Sequence, residues 1–313
     1  MSNLIQVKDL TKKFGSFTAV DNISFSVKKG EVLGFLGPNG AGKTTTMRMI
    51  TGYMGPTSGE AIICGENILI NPCAAKSKIG YLPEGGPLYT DMTVKSFLNF
   101  IGKIRQLEPT KLKERLDFVV DQLHLSEIFY QNIDTLSKGF KRRVALAQAI
   151  LHDPEVLIMD EPTDGLDPNQ KFEVHNLIAR MAENKAIIIS THILEEVDAL
   201  CARIIIIESG KIVTTGTPEQ VVANAPEGNL VYLKVKGKKL PEISDKIMAI
   251  KQVLDVKARG DNSIVIYYKG DKVIIEEISK LAAKNKWKIE ELYSNPKNLG
   301  EAFRAITSST KVS

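Results

Sequence analysis

Cysteine is scarce in this chain, with three in 313 residues. Cys64, Cys73 and Cys201 are odd in number and lack metal-ligand spacing, which argues against a disulfide framework and fits a reducing compartment. Long hydrophobic runs are missing too. No apolar stretch approaches the ~20 residues needed to span a bilayer, and residues 204–207 read only as a buried strand. The first eight residues, MSNLIQVK, show no basic segment leading into an apolar one, so no secretory signal is expected. No internal repeat or low-complexity segment appears. Charge of one sign is lacking as well. The net charge of +4 is too small to argue for nucleic acid, and its excess lies after Pro218, where it reads as a solvated basic face. Together these absences predict a cytoplasmic protein. What remains is an ordinary globular composition, 43% hydrophobic and 25% charged, in a chain long enough for one large domain or two.

The strongest feature present is residues 37–45, GPNGAGKTT. Gly37, Pro38, Asn39, Gly40, Ala41, Gly42, Lys43, Thr44 and Thr45 fit the phosphate-loop pattern of Gly, four residues, then Gly-Lys-Thr. An apolar run at 32–36 precedes the loop and a helix-compatible run at 45–50 follows it, which is the strand–loop–helix context the motif requires. Such glycines let the backbone turn tightly and aim N–H groups at phosphate oxygens where a helix dipole favours anions. Lys43 is expected to reach the β- and γ-phosphates, and the Thr44 hydroxyl to complete a Mg²⁺ shell. The motif thus predicts nucleoside triphosphate binding.

Alternating strands are expected near 5–10 and 19–27, with further strands at 60–64 and 79–82. From 93 the apolar period becomes helical, and 93–134 reads as a small helical insertion, followed by a helix after Ser137. Continuous apolar runs at 156–159, 186–189 and 204–207, separated by helices at 169–181 and 194–200, predict parallel strands buried on both faces. Residues 224–228, NAPEG, read as a linker. Beyond them comes β-α-β-β-α-β, with strands at 230–235, 253–258, 263–268 and 287–292, helices at 241–250 and 273–285, and a closing helix at 299–306. That order predicts a ferredoxin-like accessory domain, and 307–313 is expected to be a frayed tail.

The run at 156–161 ends in two acids, Asp160 and Glu161. A carboxylate at the end of a buried strand beside a phosphate loop suits Mg²⁺, the role expected of Asp160. Glu161 is then placed to orient and deprotonate water attacking the γ-phosphorus.

With these motifs in order, residues 4–223 resemble the nucleotide-binding subunit of an ATP-binding cassette (ABC) transporter. Residues 136–140, LSKGF, resemble that family's signature loop, 165–168, GLDP, its dimer-contact loop, and Ser190-Thr191-His192 its histidine switch. Pro83-Glu84-Gly85 lies where the family has a loop usually carrying glutamine. The resemblance implies a phosphate-loop α/β cassette over 1–223, a RecA-like core with an antiparallel β subdomain and a helical subdomain at about 90–152. The linker 224–228 and the α+β domain 229–313 complete the chain. It implies an ATPase using ATP and Mg²⁺. Two copies would form a homodimer on ATP, with Ser137, Lys138, Gly139 and Phe140 of one facing the nucleotide of the other and Asp167 in the dimer loop. His192 would contact the γ-phosphate, and Phe14, with Phe17 as rival, would stack on adenine. A separate transmembrane permease would dock on 93–134 and the Glu84 loop, placing the chain on the cytoplasmic face of the inner membrane; no nucleic-acid partner is expected.

Lys138 and Phe140 replace the family's glycine and glutamine, and Glu84 replaces a glutamine. Glu84 adds a third carboxylate near Asp160 and Glu161, tolerable beside Mg²⁺ or as a sensor of the permease. These departures, with the appended domain and its segment 299–307, resemble bacterial exporters of the drug, sodium-ion and gliding-motility types. Two other classes share the core motifs: ABC ATPases acting on ribosomes or DNA, and cassettes that bind ATP without turnover. The first usually carries paired cassettes or a long coiled coil, absent here. Against the second, Lys43, Asp160, Glu161 and His192 are all present.

Overall fold

The computed structural model describes residues 2–86, 88–224, 229–236, 240–259, 262–269, 274–295 and 299–309. Two compact units emerge, Met1–Pro218 and Glu219–Ser313.

The first unit opens with a long hairpin, β1 (Asn3–Phe14) and β2 (Phe17–Lys28). Both strands outrun the expected 5–10 and 19–27. Gly15, at φ 59, forms a two-residue turn with Ser16, which keeps Phe14 and Phe17 paired at the tip. After β3 (Val32–Leu36) and α1 (Lys43–Ile50) come β4 (Ser58–Ile63) and β5 (Glu66–Asn67). These complete an antiparallel sheet of order β2-β1-β4-β5. Next are α2 (Pro72–Ser77), a helix the sequence reading did not anticipate, and β6 (Ile79–Leu82).

The helical segment contains α3 (Val94–Ile104), α4 (Pro109–Gln122) and α5 (Lys138–Ile150). Each start has a local cause. Thr93 Oγ1 accepts from the Ser96 N–H, Pro109 stands at the first position of α4, and Ser137 Oγ accepts from the Phe140 N–H at 3.3 Å.

The apolar runs then become β7 (Val156–Asp160), β8 (Ala186–Thr191) and β9 (Arg203–Glu208), with α6 (Pro168–Ala182) and α7 (Leu194–Leu200) between them. A strand not foreseen from sequence, β10 (Lys211–Gly216), closes a six-stranded sheet of order β10-β9-β3-β8-β7-β6. Only β10 runs antiparallel, and its burial alternates because it sits at the edge. Strands β3, β7 and β8 are buried along their whole length, as continuous apolar runs require.

The expected boundary after 223 lies inside α8 (Pro218–Asn224), and 225–228 of the expected linker lie outside the described residues. In the second unit come β11 (Asn229–Lys236), α9 (Leu240–Met248), β12 (Val253–Ala258), β13 (Ser263–Tyr268), α10 (Ile275–Lys284), β14 (Lys288–Asn295) and α11 (Leu299–Ser309). Its sheet has order β12-β13-β11-β14, with every pair antiparallel. That is the ferredoxin-like arrangement. Val231, Leu233, Ile264 and Ile266 from the sheet pack with Ile243, Ile247 and Ile278 from the helices. The expected fraying from 307 is corrected as far as Ser309: α11 continues, and Thr307 Oγ1 donates to the Phe303 carbonyl at 2.9 Å. Residues 310–313 lie outside the described set. Among the described residues no helix is long and apolar enough to cross a membrane.

Candidate nucleotide site

Parallel register brings three strand ends together. Leu36 pairs with Thr191 and Asp160 with Ser190, so the carboxyl ends of β3, β7 and β8 share one edge of the sheet. Ligands of open α/β sheets bind outside that edge. The loop leaving β3 turns at Gly40 and Gly42, whose φ values of 80° and 105° favour glycine. A Cβ on Gly42 would lie 2.6 Å from the Ala19 carbonyl oxygen, and one on Gly37 would lie 2.4 Å from that of Ile207. The Ala41 N–H donates to the Pro38 carbonyl at 3.1 Å, closing the loop before α1 begins at Lys43.

A cavity of about 450 Å³ opens over this loop, lined by Phe14, Phe17, Ala19, Pro38, Asn39, Gly40, Gly42, Lys43, Thr44, Thr45, Glu84, Asp160 and Glu161. Gly37 and Ala41, also read as loop residues, lie outside the lining, and Ala41 is buried beneath it. Lys43 is 7% exposed, and its Nζ donates to the carbonyls of Gly37 at 2.6 Å and Pro38 at 3.3 Å. Burial lowers the Lys43 pKa, while Glu161, Asp160 and Glu84 act to raise it. A buried cation held by loop carbonyls thus stands in the field of three carboxylates.

The Thr44 hydroxyl donates to Asp160 Oδ2 at 2.8 Å, and Asp160 is 1% exposed. Glu161 adopts a left-handed backbone, φ 53°, held by its N–H donating to the Ser190 carbonyl at 2.8 Å. A non-glycine residue in that region costs about 1–3 kcal/mol and clusters at functional sites. The kink turns Glu161 off the strand line. Its Oε1 then lies 2.8 Å from His192 Nδ1, and its Oε2 lies 3.3 Å from Thr191 Oγ1. His192 is exposed and does not line the cavity. The donor set is hard oxygen from a hydroxyl and carboxylates, and among the described residues no three His, Cys, Asp or Glu form a metal cluster. That suits Mg²⁺, which keeps several waters and substrate oxygens rather than taking an all-protein cage.

The signature-loop residues lie outside the cavity lining. Ser137 caps α5, and a Cβ on Gly139 would meet Gln170 Oε1 at 2.8 Å. Lys138 Cβ lies 3.7 Å from the position a Gly165 Cβ would take, and the Arg143 guanidinium stands 5.9 Å from the Phe140 ring centroid. Asp167 caps α6, its Oδ1 accepting from the Gln170 N–H at 2.9 Å. Phe14 and Phe17 both line the cavity, and Lys12 Nζ lies 5.2 Å from the Phe14 ring centroid.

Sequence reasoning passed over two buried charges here. Glu196, 3% exposed on α7, accepts from the Thr163 hydroxyl and, at 3.0 Å, from the Thr191 hydroxyl. Its signal was an acid one helical turn after His192. Arg142, 7% exposed on α5, binds carbonyls around the strand ends. No local signal separates it from Arg143 beside it.

Residues 20–164 match the ABC transporter family model. A Nod factor export ATP-binding protein I of Ralstonia nicotianae is 30% identical over 305 residues, covering 97% of this chain and 94% of the relative. The chain belongs to the ATP-binding proteins of ABC transporters. Its cassette is an ABC ATPase domain. A "Probable multidrug ABC transporter ATP-binding protein" of Escherichia coli is 37% identical over 223 residues, 71% of this chain, and the match spans 38% of that relative's length. A solved structure described as the ATP-binding subunit of an ABC transporter superposes on the cassette with TM-score 0.66 at 29% identity. It covers 70% of this chain and 91% of its own.

Proposed function

We propose that this ABC ATPase hydrolyses ATP at a site completed by a second copy of itself, and so energises a separate membrane permease that exports its cargo. The observation that carries this reading is the gathering of Lys43, Thr44, Asp160 and Glu161 around one cavity while Ser137 and Gly139 lie outside it. Lys43 and the loop N–H groups hold the β- and γ-phosphates. Thr44 and Asp160 would hold Mg²⁺, and Glu84, which lines the same cavity, would add a further oxygen donor. When bound, the ion supplies positive charge against the phosphate oxygens. Glu161 takes the proton of the attacking water, and His192, 2.8 Å from Glu161 Oε1, keeps that carboxylate aimed and meets the γ-phosphate. Phe14 stacks on the base, with Phe17 opposite at the hairpin tip.

The anion-binding start of α5 serves the partner's nucleotide, and the two-fold arrangement makes the interface isologous. Asp167 lies in the loop where the two copies meet. The permease docks on 93–134 and the Glu84 loop, which puts the chain on the cytoplasmic face of the inner membrane. Export as the direction is supported by the relatives named for multidrug handling and Nod factor export.

The test is light scattering on the purified full chain carrying Glu161→Gln, with and without Mg-ATP. A shift from monomer to dimer on adding ATP is expected. A mass that stays monomeric at saturating ATP overturns the shared site.

A further inference from the structure

Arg142 reaches from α5 to both loops that carry the carboxylates. Its Nη1 donates to the Pro83 carbonyl at 3.0 Å, and its Nε donates to the Pro162 carbonyl at 3.3 Å. Its Nη2 donates to the carbonyls of Asp160 and Glu161. All four acceptors are main-chain oxygens. Pro83 immediately precedes Glu84, while the other three belong to the turn where Asp160 and Glu161 leave β7. Burial disfavours the charge of Arg142, and the carboxylates of Asp164, Asp160, Glu161 and Glu84 favour it. The guanidinium thus sits in the field of four carboxylates, Asp164 foremost, while its hydrogen bonds go to main-chain oxygens.

Geometry sets this residue apart from an ordinary buried cation. A guanidinium holds five N–H donors in a rigid planar fork, whereas a lysine ammonium is a single point with three donors. Only the fork spans carbonyls on two loops at once. Through it, the helix that begins at Ser137 and the turn that carries Glu161 are tied by one rigid group. A shift of α5 is then felt at the backbone of both carboxylate loops, and a misplacement of about 1 Å can cost on the order of a hundredfold in rate.

We propose that Arg142 is a positioning residue that couples the signature-loop helix to Glu161 and Glu84, so that a partner engaged at Ser137 and Gly139 sets the carboxylates for hydrolysis. This rests on the roles proposed above for Glu161 and for the signature loop.

The experiment compares wild type, Arg142→Lys, Arg142→Gln and Glu161→Gln as full-length chains. ATP affinity is measured by equilibrium dialysis, turnover by phosphate release, and backbone protection by hydrogen–deuterium exchange. For Arg142→Lys, kcat falls at least tenfold, while the Kd and KM for ATP stay within twofold. Exchange quickens in 83–86 and 161–167 and is unchanged in 32–45. Arg142→Gln is slower than Arg142→Lys, with the same ATP affinity.

A kcat for Arg142→Lys within twofold of wild type overturns the proposal. So does an ATP Kd that rises in step with the loss of kcat, or loss of ATP binding and of global protection in both variants, since each marks a merely structural residue. Glu161→Gln separates this inference from its foundation. Wild-type turnover in that variant removes the role of Glu161 itself. Its inactivity beside a normal Arg142→Lys removes only the coupling.

Discussion

Both units of this protein pack apolar clusters against β-sheet, yet only the cassette gathers a phosphate loop, carboxylates and a histidine at one sheet edge. In the cassette, β3, β7 and β8 run parallel, so all their carboxyl ends face the same way. The loops that follow deliver Lys43, Thr44, Asp160, Glu161 and His192 to one edge. In the second unit every strand pair is antiparallel, which sends the ends of neighbouring strands to opposite edges. Its polar side chains form cross-strand pairs instead, such as Lys234 with Glu291 at 3.1 Å. Exposed pairs of that kind contribute little. Topology, more than composition, decides where a catalytic cluster can form.

The sharpest way to break this contrast is at the converging edge. Glu161→Gln keeps the shape of the side chain and removes the proposed base, so ATP turnover should fall by about 10²–10⁴, with ATP affinity retained in a binding assay. Next in size is the core of the other sheet. Leu233 is fully buried on β11, and Leu233→Ala should cost about 2–5 kcal/mol. If the second unit folds on its own core, calorimetry will show its transition lowered while nucleotide binding by the cassette is unchanged.

A smaller effect separates the two rings at the hairpin tip. Phe14→Ala should weaken ATP binding by about 0.5–1.5 kcal/mol, up to roughly tenfold in Kd, and Phe17→Ala by less. The reverse order in a fluorescent-nucleotide titration would transfer the stacking role to Phe17. A pH effect is expected at His152. Burial pushes its pKa down to about 4, and its Nε2 lies 3.0 Å from the Ile79 carbonyl oxygen. The unfolded chain takes up that proton near 6.5 and the folded one only near 4. Its share of stability is therefore complete above about 6.5 and is lost as pH falls through that window. His152→Gln should flatten the decline of Tm between pH 6.5 and 4.

Much of this protein is legible in its local sequence. The phosphate loop, the two acids at the end of β7 and the buried parallel strands are local patterns. A continuous apolar run excludes a half-solvated strand, and a Gly-rich turn before a helix has few other uses. The same holds for the ferredoxin-like order of the second unit, readable from alternating strand and helix periods. Edges were harder. The strand β10 alternates weakly, and the full length of β1 and β2 depended on the turn at Gly15.

What the sequence could not specify was which distant groups meet. Thr44 and Asp160 stand 116 positions apart and are joined by one hydrogen bond. Arg142 is indistinguishable along the chain from Arg143 beside it. Yet the first binds four carbonyls at the strand ends, while the second binds the Leu123 carbonyl and pairs with Glu173. Local sequence determines what a segment prefers to be, because propensity and periodicity depend on neighbours in the chain. Only the tertiary structure decides whom a side chain touches, because that depends on sheet order and on which ends the topology brings together.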